Sequence, residues 1–483
     1  MKLHELDISQ LSGLIGRKEI SVPELTRSVL DRISEIEHKL GSYISIDEER
    51  ALVRASEVQE KIDKGEIKSP LAGIPMAVKD NICTRDMTTT CASRMLDKFI
   101  PPFDATVISK LNENGAILLG KLNMDEFAMG STSFYSYFKK TKNPWNSINT
   151  PEVLCEGTPV SVAAGEAVYA LGSDTGGSIR QSASMCGVVG LKPTYGLVSR
   201  HGLVACASSF DQIGPVTRNV RDCTLVLNAI SGKDHMDSTS TGTSIDDYSK
   251  FLGKEIKELR IGIPGEFINN KGLLEEGIGK VFQDAVNTLS GTGIHFEEFS
   301  FPLMEYVLPV YCIISYGEIS SSMARYDGIK FGYRAESCED LIDLYKKTRG
   351  EGFGPEVKRR VILGTYFLSA KQYEKYYKKA LKLRRAITDE LEKALEKYDV
   401  IIGPVLPVTA STFTEHAGNP AMANEYDAFT CIANLTGLPA MSIPCGRDAM
   451  GYPAGLQLFG RRFREDILLK VAYAFEQNLG EVK

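Results

Sequence analysis

Ala170-Leu-Gly-Ser-Asp-Thr-Gly-Gly-Ser178-Ile-Arg-Gln181 runs from an apolar strand through a Gly-Gly turn into the start of a helix. That order puts Ser178 at a helix N-terminus, where the first N–H groups have no intrahelical acceptor. The N–H groups of Thr175, Gly176, Gly177 and Ser178 are thereby free to face a developing oxyanion. Upstream, Gly73-Ile-Pro-Met-Ala-Val-Lys79-Asp-Asn-Ile82 ends a second apolar strand on a lysine. A desolvated lysine is a workable base for a serine in a chain with no obvious Ser-His-Asp set. Taken singly, each residue also has an ordinary reading: Lys79 as a snorkelling surface lysine, Ser178 as a helix cap.

Working outward, residues 20–40 read as an amphipathic helix. Ser21-Val-Pro-Glu24 is a capping box, and Leu25, Val29, Ile33 and Ile36 follow at helical spacing. From about residue 70 the pattern turns α/β. A helix follows Asp104-Ala-Thr-Val107 and stops near Gly115, and Ala116-Ile-Leu-Leu119 reads as the next strand. Thr158 before Pro159 predicts a helix start with Thr158 as N-cap. Residues 232–256, rich in Ser, Thr, Asp and Gly, read as a surface connection. Leu259-Arg-Ile-Gly-Ile-Pro264 resumes a strand, residues 270–400 read as mainly helical, and Val400-Ile-Ile-Gly-Pro404, Ala440-Met-Ser-Ile-Pro444 and Gly455-Leu-Gln-Leu-Phe-Gly460 return to the sheet.

Composition narrows the function classes. At 483 residues the chain exceeds the usual single core, so one large α/β core with insertions, or two domains, is expected. A net charge of −6 argues against nucleic-acid binding by this chain alone. Ten cysteines without a C-x-x-C pair suit buried thiols in a reducing cytosol. Six histidines at no ligand spacing predict no metal site, and Gly172-Ser-Asp-Thr-Gly-Gly-Ser178 lacks the lysine of a phosphate loop, so no cofactor site is expected. With no secretory signal and no apolar run of membrane length, a soluble cytoplasmic chain is expected.

Five further segments extend the pattern over most of the chain. They are Lys79-Asp-Asn-Ile-Cys-Thr84, Lys121-Leu-Asn-Met-Asp-Glu-Phe-Ala-Met-Gly130, Gly187-Val-Val-Gly-Leu-Lys-Pro-Thr-Tyr-Gly196, Gly350-Glu-Gly-Phe-Gly-Pro-Glu-Val-Lys-Arg-Arg360 and Ala433-Asn-Leu-Thr-Gly-Leu-Pro-Ala440. Together with the Ser178 segment they resemble the amidase signature family, and within it the aminoacyl-tRNA amidotransferase branch. The resemblance implies an α/β amidase signature fold: a large mixed sheet sandwiched between helical layers, with a helical subdomain. The expected organisation is a helical region over 1–65, an amidase core over 66–260 holding Lys79 and Ser178, a mainly helical subdomain over 261–400 above the site, and strands and a helix over 401–483 completing the core.

The family's catalytic set is a lysine, a bridging serine in a cis peptide and a nucleophilic serine, which implies Lys79 and Ser178 here. Thr175, Gly176 and Gly177 become the oxyanion donors, and Tyr311, Arg360 and Asp427 the residues that hold glutamine. A free amino acid wants a cation for its carboxylate and an anion for its ammonium. The family's Gly-Gly-Ser-Ser-Gly-Gly-Ser loop reads Glu152-Val-Leu-Cys-Glu-Gly-Thr158, and the flanks Asn143-Pro-Trp145 and Val162-Ala-Ala-Gly-Glu166 align without a gap. Leu154 then stands at the bridging serine and has no hydroxyl to relay a proton. Loss of acid–base assistance costs on the order of 10²–10⁴ in rate. Cys155 reads as a small buried hydrophobe, and Phe134-Tyr135 replaces polar residues of a second loop. The resemblance implies a glutaminase that supplies ammonia for amidation of Glu-tRNA(Gln) or Asp-tRNA(Asn), with B and C subunits as partners, tRNA reached only through them, and ATP and Mg on a partner subunit. The altered loop keeps two alternatives open: a weakened paralogue with a binding or assembly role, and a stand-alone amidase for a more apolar amide.

Overall fold

A computed structural model describes residues 2–146, 152–243, 245–269 and 273–479. Pro151, Ser244, residues 270–272 and residues 480–483, all within segments read above, lie outside the described residues. Its spine is one mixed sheet of β1 (Tyr43–Ile46), β2 (Pro75–Lys79), β3 (Ile117–Leu122), β4 (Tyr169–Asp174), β5 (Val189–Lys192), β6 (Gln212–Thr217), β7 (Arg260–Pro264), β8 (His295–Phe299), β9 (Val400–Pro404), β10 (Ala440–Arg447) and β11 (Pro453–Gly460). The strand order is β1-β3-β2-β4-β6-β5-β10-β11-β9-β7-β8. Two parallel groups, β3-β2-β4 and β9-β7-β8, flank a central antiparallel block.

The inner strands carry no polar alternation because both faces are covered. β2, β4, β6 and β9 are buried at every position, as continuous apolar strands between helical layers should be. The helix Val22–Leu40 starts at the capping box read from the sequence, with Ser21 and Glu24 bonding reciprocally, and buries Leu25, Val29 and Ile33. The helix Thr106–Glu113 and strand β3 fall where the pattern put them. In a second layer the helices Met304–Met323 and Lys378–Lys397 pack an apolar core of Phe267, Val307, Tyr311, Ile387 and Phe429, and the helix Pro355–Leu368 joins a neighbouring cluster through Val357, beside Tyr316 and Ile319.

One local expectation is extended and one is corrected. Residues 270–400 are mainly helical, as read, and also hold β8, whose His-Phe-Glu-Glu-Phe sequence is mostly exposed. It is one of the two edge strands, and charged side chains on an edge hide the alternation that marks a strand. The helix expected at Pro159 begins earlier, at Gly157, with Glu156 rather than Thr158 in the cap position. The Glu156 side chain makes no capping bond, and its Oε2 is taken by Lys79. No helix among the described residues is long and apolar enough to cross a membrane, and no metal-ligand cluster occurs among them.

Candidate active site

β2 and β4 are parallel neighbours, with Met76, Ala77 and Val78 opposite Tyr169, Ala170 and Leu171. Their carboxyl ends therefore emerge side by side, which is where open α/β sheets place their sites. β2 ends on Lys79, and β4 leads through Thr175-Gly176-Gly177 into the helix Ser178–Cys186. Sequence positions 99 apart thus meet: Lys79 Nζ lies 3.3 Å from Ser178 Oγ. Lys79 Nζ also donates to the Ser173 carbonyl at 3.2 Å, and Ser178 Oγ donates to the same oxygen at 2.6 Å.

The turn before Ser178 is shaped by glycine. Gly177 sits at φ +131°, and a Cβ there would approach Thr430 Oγ1 to 2.2 Å. Thr430 Oγ1 in turn donates to the Gly176 carbonyl at 2.7 Å. That bond turns the Gly176 carbonyl towards Thr430 and helps fix the plane of the peptide joining Gly176 to Gly177. A Gly177→Ala variant is expected to fold with a displaced turn and to acylate at least roughly tenfold more slowly, from combined backbone strain and donor misalignment. Labelling of Ser178 by an active-site probe checks this; an unchanged rate would mean that the turn does not set the donors. Thr175 Oγ1 donates to Asp211 at 2.6 Å, and burial pushes the Asp211 carboxyl up to about 6.

Behind the turn lies a buried polar network. Arg180 grips Asp174 through Nε and a terminal nitrogen, each at 3.0 Å, and reaches the Thr430 carbonyl at 2.8 Å, Gln457 at 2.6 Å and Asn434 at 2.8 Å. Asn434 donates back to Asp174 at 2.9 Å. Burial alone would raise the Asp174 carboxyl; the Arg180 guanidinium beside it prevails and holds it below the ordinary range. This network ties the Ser178–Cys186 helix to β11 and to the Cys431–Thr436 helix. Its members stand inside or beside the sequence motifs, where nothing local marks them as a network.

In front of Ser178 a cavity of about 50 Å³ is lined by Thr175, Gly176, Tyr311, Glu356, Arg360 and Asp427, among others. The structure thus brings all three residues expected to hold glutamine into the cavity that Ser178 lines. Tyr311, on the helix Met304–Met323, sits against Gly176 and Phe210. Arg360 Nε is anchored on Glu356 at 2.6 Å, one helical turn earlier. Sequence reasoning missed Glu356, although its spacing of four from Arg360 on a helix was a readable signal. Asp427 accepts from Gln181 Nε2 at 2.9 Å, and burial pushes its carboxyl up to about 6. A larger cavity of about 870 Å³, between Glu266, Phe299, Glu305 and Glu425, contains none of these residues.

The altered loop differs from expectation in what it brings to Lys79. Peptide bonds of the described residues are all trans. Leu154 bridges Lys142 through its backbone, and its N–H donates to Thr414 Oγ1 at 3.1 Å. Cys155 is buried, with its sulfur accepting from Asn143 Nδ2 at 3.4 Å. The group that reaches Lys79 is Glu156, whose Oε2 lies 2.7 Å from Nζ with both side chains shut away from solvent. The Phe134-Tyr135 loop is held by Asp125, which accepts from the N–H groups of Thr132 and Ser133 at 2.8 Å and of Tyr135 at 2.7 Å. Tyr135 lines the cavity, while Phe134 packs under Lys140.

The family model described as Amidase matches residues 24–469. The A subunit of glutamyl-tRNA(Gln) amidotransferase from Thermoanaerobacter pseudethanolicus is 52% identical over 477 residues, covering 99% of this chain and 97% of that protein. The crystal structure of the A subunit of glutamyl-tRNA(Gln) amidotransferase from Thermotoga maritima is 38% identical with a TM-score of 0.79, covering 99% of this chain and 96% of that one. Native peptide amidase from Stenotrophomonas maltophilia is 26% identical with a TM-score of 0.81, over 98% and 96% of the two chains.

Proposed function

The chain belongs to the amidase family, and from that premise we propose that it is the glutamine-hydrolysing A subunit of an aminoacyl-tRNA amidotransferase. The observation that carries the reading is Lys79 Nζ at 3.3 Å from Ser178 Oγ, beside a cavity that also presents Arg360 and Asp427. Arg360 takes the α-carboxylate of glutamine, Asp427 its ammonium, and Tyr311 closes the cavity beside Gly176. Ser178 Oγ attacks the side-chain amide carbon while its proton passes to Lys79. The N–H groups of the Thr175–Ser178 turn stabilise the oxyanion, ammonia leaves, and water hydrolyses the acyl-enzyme. The ammonia serves a B-type partner that amidates Glu-tRNA(Gln) or Asp-tRNA(Asn), with a C-type subunit completing a cytoplasmic assembly. ATP and Mg act on the partner, and tRNA is held there too, as suits the net charge of −6 on this chain.

Reconstitution with B and C subunits tests this: glutamine should support Gln-tRNA or Asn-tRNA formation. If added ammonia supports it and glutamine does not, the glutaminase reading fails. A pH series tests the pocket. Asp427 must be ionised to hold the ammonium, and its carboxyl stands at about 6. KM for glutamine should therefore rise as pH falls through that value, by roughly tenfold one unit below it. Asp427→Asn should raise KM at neutral pH and abolish this pH dependence; a variant that keeps the same rise would show that another group titrates.

A further inference from the structure

Glu156 occupies the place where proton traffic at this site has to be resolved. An ammonium has three donors, and Lys79 Nζ has three acceptors around it: Glu156 Oε2 at 2.7 Å, the Ser173 carbonyl at 3.2 Å and Ser178 Oγ at 3.3 Å. In that state it turns no lone pair towards Ser178. The serine hydroxyl, for its part, donates to the Ser173 carbonyl at 2.6 Å. Lys79 must lose one proton before it can accept the serine's. The carboxylate against it is Glu156, with a side chain 2% exposed, and its second oxygen, Oε1, is buried with no hydrogen-bond partner. The carboxyl can thus take and hold a proton without breaking any other bond. The backbone fixes Glu156 in this position, because a Cβ at Gly157 would meet the Ser42 carbonyl at 2.1 Å and the chain threads tightly there.

Resting on the assignment of Ser178 as nucleophile, we propose that Glu156 is the proton-holding partner of Lys79, doing for this loop what a bridging hydroxyl at Leu154 would do. The Lys79 ammonium gives a proton to Glu156 Oε2 and becomes an amine. As the bond from Ser178 Oγ to the amide carbon forms and the carbonyl pair moves onto oxygen, the Oγ–H bond breaks and its proton passes to Nζ. On collapse the C–N bond breaks, Lys79 delivers a proton to the departing nitrogen, and Glu156 returns its own to Lys79. No co-reactant is needed. Around Glu156 the charged groups are Lys79, Asp125 and Asp174. Asp174 is matched by Arg180, and Asp125 by the three N–H groups of its own loop. Burial, with a smaller push from these two carboxylates, sets Glu156 at about 7 against the pull of Lys79, so that both of its protonation states are within reach.

Rates of Ser178 labelling by a fluorophosphonate test this on the full chain, independently of glutamine, across a pH series. The rate in the parent should rise with pH through about 7, as Glu156 loses its proton and becomes able to take one from Lys79. Glu156→Gln should lower the limiting rate by roughly 10²-fold, leave reversible probe binding unchanged and erase that acid limb. Glu156→Asp, also a carboxylate, should recover part of the rate and move the limb to lower pH. Labelling of Glu156→Gln at the parent rate or faster would overturn the proposal and make Glu156 a restraint on Lys79. If Glu156→Gln does not fold, an acid limb unmoved in Glu156→Asp overturns it equally. A parent chain that the probe never labels overturns the nucleophile assignment and the proposal with it. Normal labelling without glutamine turnover overturns only the choice of substrate.

Discussion

Ser178→Ala is expected to lower glutamine hydrolysis by about 10⁴-fold or more while leaving KM for glutamine within a factor of about three. On the proposed mechanism the oxygen removed is the atom that bonds to the amide carbon, so no other change at the site should remove as much transition-state stabilisation. The substitution spares the fold, since Ser178 is the first residue of its helix and its side chain does not cap it. The bond that the hydroxyl donates to the Ser173 carbonyl leaves an acceptor still served by Lys79. Arg360, Asp427 and Tyr311 remain in place, which is why binding should survive. In a reconstituted complex the variant should still use added ammonia. Steady-state kinetics of glutamate release checks the claim, and a loss below tenfold would mean that glutamine is cleaved elsewhere.

The second large effect is on stability. Arg180→Met is expected to destabilise the chain by about 3–5 kcal/mol, because it strands the Asp174 carboxylate in a site closed to solvent. Asp174 would keep Asn434 as a donor but lose both bonds from the guanidinium. The acceptors at Thr430, Gln457 and Asn434 would each lose a partner as well. By contrast, Arg385→Met removes an ion pair to Asp389 in which both side chains are more than half exposed, and no measurable change is expected. Urea unfolding midpoints of the two variants separate the cases. Equal midpoints would show that the buried network does not hold the β4 turn to the Cys431–Thr436 helix.

Much of this was legible in the sequence because local signals agreed with the global fold. The apolar run ending at Lys79 and the Gly-Gly turn before Ser178 each specify an element and its end, and parallel pairing of β2 with β4 does the rest. Arg360 and Asp427 were findable because they sit in or beside long motifs. Glu156 was not. Residues 152–158 draw attention to the hydroxyl missing at Leu154, and a carboxylate two positions later has no local reason to matter. Its partner lies 77 positions away, and the pairing exists only once β2 and the Gly157–Ala163 helix are packed together. The helix starts two residues earlier than a Thr158 cap would place it, with Glu156 in the cap position and its side chain on Lys79. β8 was hidden for the opposite reason: an edge strand needs no apolar alternation to pair with β7.

On the proposed mechanism this chain cleaves glutamine through an acyl-enzyme on Ser178. Rapid acid quench of the chain, assembled with its B and C partners and turning over radiolabelled glutamine, tests it most directly, followed by peptide mapping. A γ-glutamyl ester on the peptide that carries Ser178, absent from Ser178→Ala, is the predicted result. Glutamate release at full rate with no label on that peptide, or with label on another residue, would contradict it.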